Sequence, residues 1–184
     1  METAKNPVII RTAKKDDAAA IAKIHVETWR STYAGLLPDD LLLRMNVAEH
    51  EARWWRQVLG RYRRNHFVYV AETKADGVIG FGSGGPSREP GLAYKGEIYT
   101  LYLGDEFHGR GLGKRLFGAL AERSVRDRGP SLIVWVLAGN PSRFFYETMG
   151  GKPVARRPGV MAGAKIEELA YGWADANVLV PSGN

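Results

Sequence analysis

The stretch from Glu97 to Leu137 constrains the fold more than any other part of the chain. Ile98, Thr100 and Tyr102 alternate with Tyr99, Leu101 and Leu103, which makes a strand apolar on both faces, suited to the middle of a sheet. A glycine-rich turn follows. The helix after it carries Leu112, Leu116 and Leu120, with Phe117 beside them, as one apolar stripe. Leu132 to Leu137 is again almost continuously apolar. Strand, crossover helix and strand make a βαβ unit with its two strands parallel.

The flanking sequence supplies further elements. Val8 to Thr12 reads as a strand leading into a helix, with Asp16 and Asp17 as caps and Ile21, Ile24, Thr28 and Trp29 at helical spacing. Gly35-Leu36-Leu37-Pro38-Asp39 breaks that helix and starts a short one. Asn46 with Glu49 resembles a capping box opening a third, which Gly60 closes. Phe67 to Glu72 and Val78 to Gly82 form an antiparallel hairpin around Asp76-Gly77, and Ser83 to Gly96 reads as a loop. Pro141 to Met149 is a short helix with proline in its first position, ended by Gly150-Gly151. Val154 to Arg156 and Glu167 to Trp173 are the closing strands.

With 184 residues the chain is expected to be one domain, 1–184, with its core at about 7–174 and a frayed tail at 175–184. Its 45% apolar and 25% charged residues are ordinary for a globular protein, and no apolar run approaches the roughly 20 residues that cross a bilayer. The N-terminal residues lack a basic-then-apolar leader, so a cytoplasmic location is expected. The absence of cysteine excludes disulfides, thiolate zinc sites and cysteine nucleophiles. His25, His50, His66 and His108 show no ligand spacing, so no metal is expected. A net charge of +6 favours anionic partners without choosing among nucleic acid, a membrane surface or a phosphorylated cofactor.

The turn after the central strand narrows that choice. His108-Gly109-Arg110-Gly111-Leu112-Gly113-Lys114 lies where a strand ends and a helix begins, so unpartnered amides and the positive end of the helix dipole suit a phosphate. A P-loop needs glycine where His108 stands and Ser or Thr where Arg115 stands. A dinucleotide fingerprint needs glycine where Lys114 stands. Both fail. The remaining readings are phosphate binding by another pattern, or a glycine turn that only lets helix and strand pack closely.

The stretch resembles the pyrophosphate loop of the GCN5-related N-acetyltransferases: Gln or Arg, two residues, Gly, one residue, then Gly or Ala. A second block, Asn140-Pro141-Ser142-Arg143-Phe144-Phe145-Tyr146-Glu147-Thr148-Met149-Gly150, is similar to that family's Asn, Phe-Tyr-Glu, Gly signature. The two blocks, in the right order, span residues 97 to 151. The resemblance implies an α/β (α+β) fold: a mixed, mostly antiparallel sheet of about six or seven strands, a central parallel βαβ pair, and helices on both faces. It implies acetyl-CoA as acyl donor and no metal. Leu101, Tyr102 and Leu103 would offer backbone groups to the pantetheine and thioester. His108, Gly109, Arg110, Gly111, Leu112, Gly113 and Lys114 would hold the diphosphate. Asn140 would bond the pantetheine, cap the helix that follows, or both. Arg143 would either reach the phosphates or lie in solvent.

Transfer of an acyl group from a thioester to an amine needs a neutral amine, a stabilised oxyanion and a proton for the thiolate. By similarity, Tyr146 is the proton donor; its other reading is a tyrosine packed beside Phe144 and Phe145. Glu97 is a general base acting through water, or a solvated strand-end carboxylate. Three departures from the pattern stand out: His108 for Gln or Arg, Arg143 for a small residue, and Gly151 for an aromatic one, the last loosening the packing near Tyr146.

His25 to Pro38 resembles the acceptor segment of small-molecule acetyltransferases, with Trp29, Arg30 and Tyr33 as pocket residues, although Trp29 also continues an apolar stripe. Ser83, within Ser83-Gly84-Gly85, either admits substrate or is plain loop. The expected partner is a small-molecule amine or a peptide, with no membrane, no nucleic acid, and homodimer formation left open. Two rivals remain: a silent acyl-CoA sensor, and a nucleic-acid binder using Arg61-Tyr62-Arg63-Arg64.

Overall fold

The computed structural model describes residues 7–59, 65–161 and 163–180. In chain order the elements are β1 (Ile9–Thr12), α1 (Ala18–Thr32), α2 (Asp39–Arg44), α3 (Val47–Leu59), β2 (Phe67–Thr73), β3 (Gly77–Pro86), β4 (Gly96–Leu103), α4 (Leu112–Arg128), β5 (Leu132–Leu137), α5 (Arg143–Thr148), β6 (Lys152–Met161) and β7 (Ala164–Trp173). The strands form one seven-stranded sheet in the order β1-β2-β3-β4-β5-β7-β6. Among the described residues only β4 and β5 pair in parallel as strands; every other neighbouring pair in the sheet is antiparallel. The expected βαβ unit is thus the middle of a mixed α/β fold.

Strand periodicity divides the sheet between two helical layers. Phe67, Ile98, Leu132 and Val134 meet Leu116, Phe117, Leu120 and Ala121 of α4 on one face, while Val68, Val70 and Phe81 meet Ile21, Ala22, Ile24 and Trp54 on the other. Leu116, Phe117 and Leu120 are fully buried, and each such side chain contributes about 1.5–3 kcal/mol. The apolar stripe on α4 is what presses the crossover helix onto the sheet.

Several elements differ from the sequence reading. The expected loop from Ser83 is strand as far as Pro86: its glycines make room for neighbours, since a Cβ at Gly82 would strike Leu120 and one at Gly84 would stand 2.7 Å from the Phe67 ring. Asp17 occupies the N-cap position of α1 without capping it. Its carboxylate instead takes two bonds from the Arg11 guanidinium, at 2.7 and 2.9 Å, and one from the Lys14 amide, at 2.6 Å. Burial works against that charge, but Arg11 and the Lys14 amide outweigh it and hold the Asp17 pKa below the usual carboxylate value. Asn46 does open α3, accepting from the Ala48 amide at 2.8 Å. The helix expected from Pro141 begins at Arg143, after a turn closed by Asn140. The closing strands are longer than expected. The expected fraying after Ala174 does not hold for residues 175 to 180, where a 3-10 turn, Ala176–Leu179, buries Ala176 and Leu179 in the core beside α4. Gly60 and the basic run 61–64 lie outside the described residues.

Gly151 tightens packing rather than loosening it. A Cβ there would stand 2.7 Å from the Trp173 ring and 2.9 Å from the Tyr146 carbonyl oxygen. Trp173 closes this corner by donating its indole N–H to the Met149 carbonyl at 3.0 Å. Gly151→Ala should lower stability by about 1–3 kcal/mol through overpacking, read as a fall in the midpoint of denaturant unfolding at constant m-value.

Between α1 and α3, His25 is buried and accepts the Trp54 indole N–H at Nδ1, 3.1 Å away. Burial, with repulsion from His50 and Arg53, pushes its pKa down to about 3. An unfolded histidine titrates near 6.5. The unfolded chain therefore takes up this proton first, and stability is full above pH 6.5 and declines as pH falls toward 3. Melting temperature should be level from pH 7 to 8 and fall between pH 6.5 and 5, above the carboxylate range. His25→Gln should flatten that part of the curve.

Candidate active site

The site begins with an irregularity in β4. Ser83 lies opposite Thr100 and Gly84 opposite Ile98, so Tyr99 is an extra residue, a β-bulge. Parallel pairing with β5 joins Gly96, Ile98 and the residue between them to Leu132–Val134 and stops there. Beyond the bulge the two strands part. Tyr99–Leu103 and Val134–Leu137 line opposite walls of a cleft, and the main chain of Leu101, Tyr102 and Leu103 has no strand partner on that side.

The cleft has two arms that share Leu101, Leu103, His108, Ser142 and Tyr146. The wider, of about 470 Å³, runs past the start of α4. Gly109 and Gly111 have φ of +72° and +74°, the left-handed region that turns the chain into the helix. Arg115 makes the first bond of α4, to the Gly111 carbonyl at 3.2 Å. The amides of Leu112, Gly113 and Lys114 come before it and face the dipole's positive end. Packing does not demand glycine at 113: a Cβ would meet only ordinary contacts, 3.6 Å to Leu103 and 3.7 Å to Phe145. The bare backbone there opens on the cavity. The His108 Nε2–H donates to the Leu103 carbonyl at 3.1 Å, tying the turn to the end of β4.

Not every residue expected at this arm points into it. The Arg110 guanidinium lies over the Phe107 ring, 5.5 Å from its centre, on the wall of a separate groove with Val8 and Asp76. The Arg143 guanidinium lies over the Phe144 ring at 4.4 Å and lines neither arm. Among the described residues, Lys114 is the one lysine or arginine that lines the wider arm.

Tyr146 stands where the arms meet. Its ring packs edge-on against Phe117 and Phe145 and roughly parallel to Tyr171. Burial, then Tyr33, pushes its hydroxyl pKa well up, so it keeps its proton and can donate one. Asn140 is buried beside it in the fold. Its Oδ1 accepts from the Ser142 amide at 2.8 Å and its Nδ2 donates to the Tyr33 hydroxyl at 3.3 Å. Asn140 thus closes the turn ahead of α5, and one of its two amide hydrogens goes to Tyr33.

Glu97 fits neither of its expected roles. It is fully buried, and its side chain is absent from the cleft walls. Oε1 accepts from the Arg88 Nε and Nη2 at 3.1 and 2.5 Å, and Oε2 from the Arg88 amide at 2.8 Å. A carboxylate so occupied is an anchor for the loop after β3, not a base facing substrate.

The narrower arm, of about 190 Å³, is walled by Thr28, Trp29, Thr32, Tyr33, Trp135, Met161 and Glu168. Trp29 is both packed and exposed to the cavity: its indole N–H donates to the Tyr102 hydroxyl at 2.9 Å. Burial and the nearby Tyr33 keep the Tyr102 hydroxyl protonated. Arg30 is elsewhere, bonding the Leu42 and Met45 carbonyls at 3.1 and 2.9 Å and so tying off α2. Ser83 is buried against Thr100, hydroxyl to hydroxyl at 2.7 Å, behind the wall. Glu168 was not singled out by sequence. It sits opposite Leu137 in β7, a register that no local pattern discloses.

Comparison with known proteins agrees with this geometry. The FR47-like protein family matches residues 92–157. YuaI of Bacillus subtilis (strain 168), described as an uncharacterized N-acetyltransferase, is 36% identical over 172 residues, 94% of this chain and 96% of its own. The crystal structure of PaiA N-acetyltransferase from Thermoplasma acidophilum in complex with coenzyme A is similar with a TM-score of 0.69 and 20% identity, over 88% of this chain and 98% of that one. The structure of yncA from Salmonella typhimurium with its cofactor acetyl-CoA gives 0.66 and 25%, over 91% and 93%. Among the described residues no helix is long and apolar enough to cross a membrane. With likeness to YuaI along almost the whole chain, and a parted β4–β5 pair set beside a glycine turn, the protein belongs to the GCN5-related N-acetyltransferase family and is an N-acetyltransferase.

Proposed function

We propose that the chain transfers the acetyl group of acetyl-CoA to a primary amine, of a small molecule or a peptide, by direct attack on the thioester. The observation that carries this reading is the first turn of α4, where unpartnered amides and the unobstructed backbone of Gly113 open on the wider arm. The diphosphate binds these amides and Lys114. The pantetheine runs along the free edge of β4 beyond the bulge, which brings the thioester to Tyr146 at the junction of the arms. Coenzyme A and acetyl-CoA in the PaiA and yncA structures support this choice of donor.

The chemistry follows from the groups present. The amine reaches the cleft through the narrower arm and loses its proton to water, since Glu97 is engaged with Arg88. Its nitrogen forms the C–N bond while β4 amides stabilise the oxyanion. The C–S bond then breaks, the thiolate takes the Tyr146 proton, and the proton that the new amide nitrogen must shed returns through water to the tyrosine oxygen, leaving amide, free CoA and a neutral Tyr146. Attack by a water molecule would waste the donor; the aromatic walls of both arms limit water at the junction.

Gly113→Ala separates ligand binding from packing. Alanine fits the fold and is the better helix former, so melting temperature should not fall. Affinity for acetyl-CoA should fall about tenfold, the worth of one lost charge-assisted hydrogen bond. A variant that melts lower yet binds acetyl-CoA normally would favour a purely structural turn.

Tyr146→Phe should lower kcat by roughly 100-fold and leave acetyl-CoA affinity unchanged. Unaltered turnover would remove Tyr146 from the mechanism. Because its hydroxyl pKa is raised, kcat/KM for an alkylamine should climb with pH as the free amine accumulates. No descending limb from tyrosine ionisation should appear below about pH 10. An acceptor screen for released CoA, run over amino acids, polyamines, aminoglycosides and peptides, identifies the amine. Tight acetyl-CoA binding without release from any acceptor would mark a sensor.

A further inference from the structure

The narrower arm carries a charge that the transfer chemistry does not use. Among the described residues no lysine or arginine lines it, and its one carboxylate is Glu168. Glu168 Oε2 accepts from Arg157 Nε at 2.7 Å, and Oε1 has no hydrogen-bond donor among the described residues. Arg157 does not neutralise the arm. The same guanidinium also pairs with Glu89 and lies over the Trp135 ring, 4.0 Å from its centre. Two carboxylates against one guanidinium leave one unit of negative charge, while Arg88 nearby is spent on Glu97. The arm is therefore anionic, with Trp29, Tyr33 and Trp135 among its walls, which suits an alkylammonium with an apolar stem.

A carboxylate stabilises the charged form of an amine beside it. The amine that attacks the thioester has to be neutral, so Glu168 is badly placed to hold the reacting nitrogen and well placed to hold a second one. Resting on the transfer reading above, we infer that Glu168 selects the acceptor: its carboxylate receives the distal ammonium of a short aliphatic diamine whose other amine is acetylated at the junction. The same charge turns away amines that bear a carboxylate at that end. Arg157 is the positioning residue, holding Glu168 through Oε2 and presenting Oε1 to the cavity.

Three acceptors of matched length test this: butane-1,4-diamine, butylamine and 4-aminobutanoate, whose far ends are positive, neutral and negative. The unaltered protein should show kcat/KM for the diamine about tenfold above butylamine, the worth of one charged hydrogen bond, with 4-aminobutanoate lowest. Glu168→Gln should erase the advantage of the diamine over butylamine, chiefly through KM, while the dissociation constant for acetyl-CoA, whose arm Glu168 does not line, stays unchanged. The ranking in the unaltered protein does not depend on how well the variant folds. Equal use of 4-aminobutanoate and the diamine, or a ranking that survives Glu168→Gln, overturns the inference. CoA release with some other amine but none of these three also overturns it and leaves the transfer reading standing. No release with any primary amine, despite acetyl-CoA binding, overturns the transfer reading itself.

Discussion

The cleft exists because β4 stops pairing with β5 at Ile98. An unpaired strand edge buried without partners costs about 1–3 kcal/mol for each orphaned group, so such a gap survives only if the flanking strands are held from elsewhere and the edge is wetted or filled. The flanking strands are held. β3 backs β4 from Gly80 to Pro86, and β7 backs β5 along all of Leu132–Leu137. Each wall is supported from behind, and the walls diverge from the base formed by Gly96–Ile98. The bulge at Tyr99 sets the angle, because one extra residue bends β4 without loosening its grip on β3. Under that base lies the Arg88–Glu97 pair, which fixes the loop after β3 against the start of β4. Glu97 serves the site by anchoring that loop at the base of the cleft.

The same divergence decides where Tyr146 can be. Its ring rests on Phe117 from α4 and Tyr171 from β7, one element from each side of the opening. The chain after it must turn at once, and Gly150 with φ of +84° followed by the closely packed Gly151 makes that turn against Trp173. A side chain at 151 would strike Trp173 and the Tyr146 carbonyl together. The glycine pair therefore fixes the hydroxyl in place through packing, a consequence opposite to the looseness that two adjacent glycines suggest in sequence.

The parts of the site legible in the sequence are those built from local spacing. The βαβ unit shows in the alternation of Ile98 to Leu103 and the four-residue repeat of Leu112, Leu116 and Leu120. The α4 turn shows because left-handed φ requires glycine at 109 and 111. What failed was set by partners distant in sequence or in register. Glu97 reads in sequence as a general base or a solvated strand end because nothing near it announces Arg88, nine residues back across a loop. Arg30 looked like a pocket cation because its carbonyl partners, Leu42 and Met45, follow a turn and another helix. Ser83 looked like loop because glycines that admit Leu120 and Phe67 resemble glycines that make turns. Glu168 was invisible, since only the β5–β7 register sets it beside the cleft.

This contrast tracks how the two arms are made. The donor arm is made of backbone: amides at a helix start, a free strand edge, and glycines that keep side chains out. Its chemistry is encoded where the chain can be read locally. The acceptor arm is made of side chains from α1, the α1–α2 connection, β5, β6 and β7, brought together by packing of Tyr33, Leu37 and Leu42 against Leu137, Met161 and Ile166. The charges divide in the same way, with Lys114 and the α4 dipole at one end, Glu168 at the other, and the neutral Tyr146 hydroxyl between them. On the proposed reading, an anionic donor and a cationic acceptor are each drawn to the end that suits them and meet at Tyr146. The overall charge of +6 says nothing of this, because what matters is the sign of the field within each arm, and the two arms of this cleft have opposite signs.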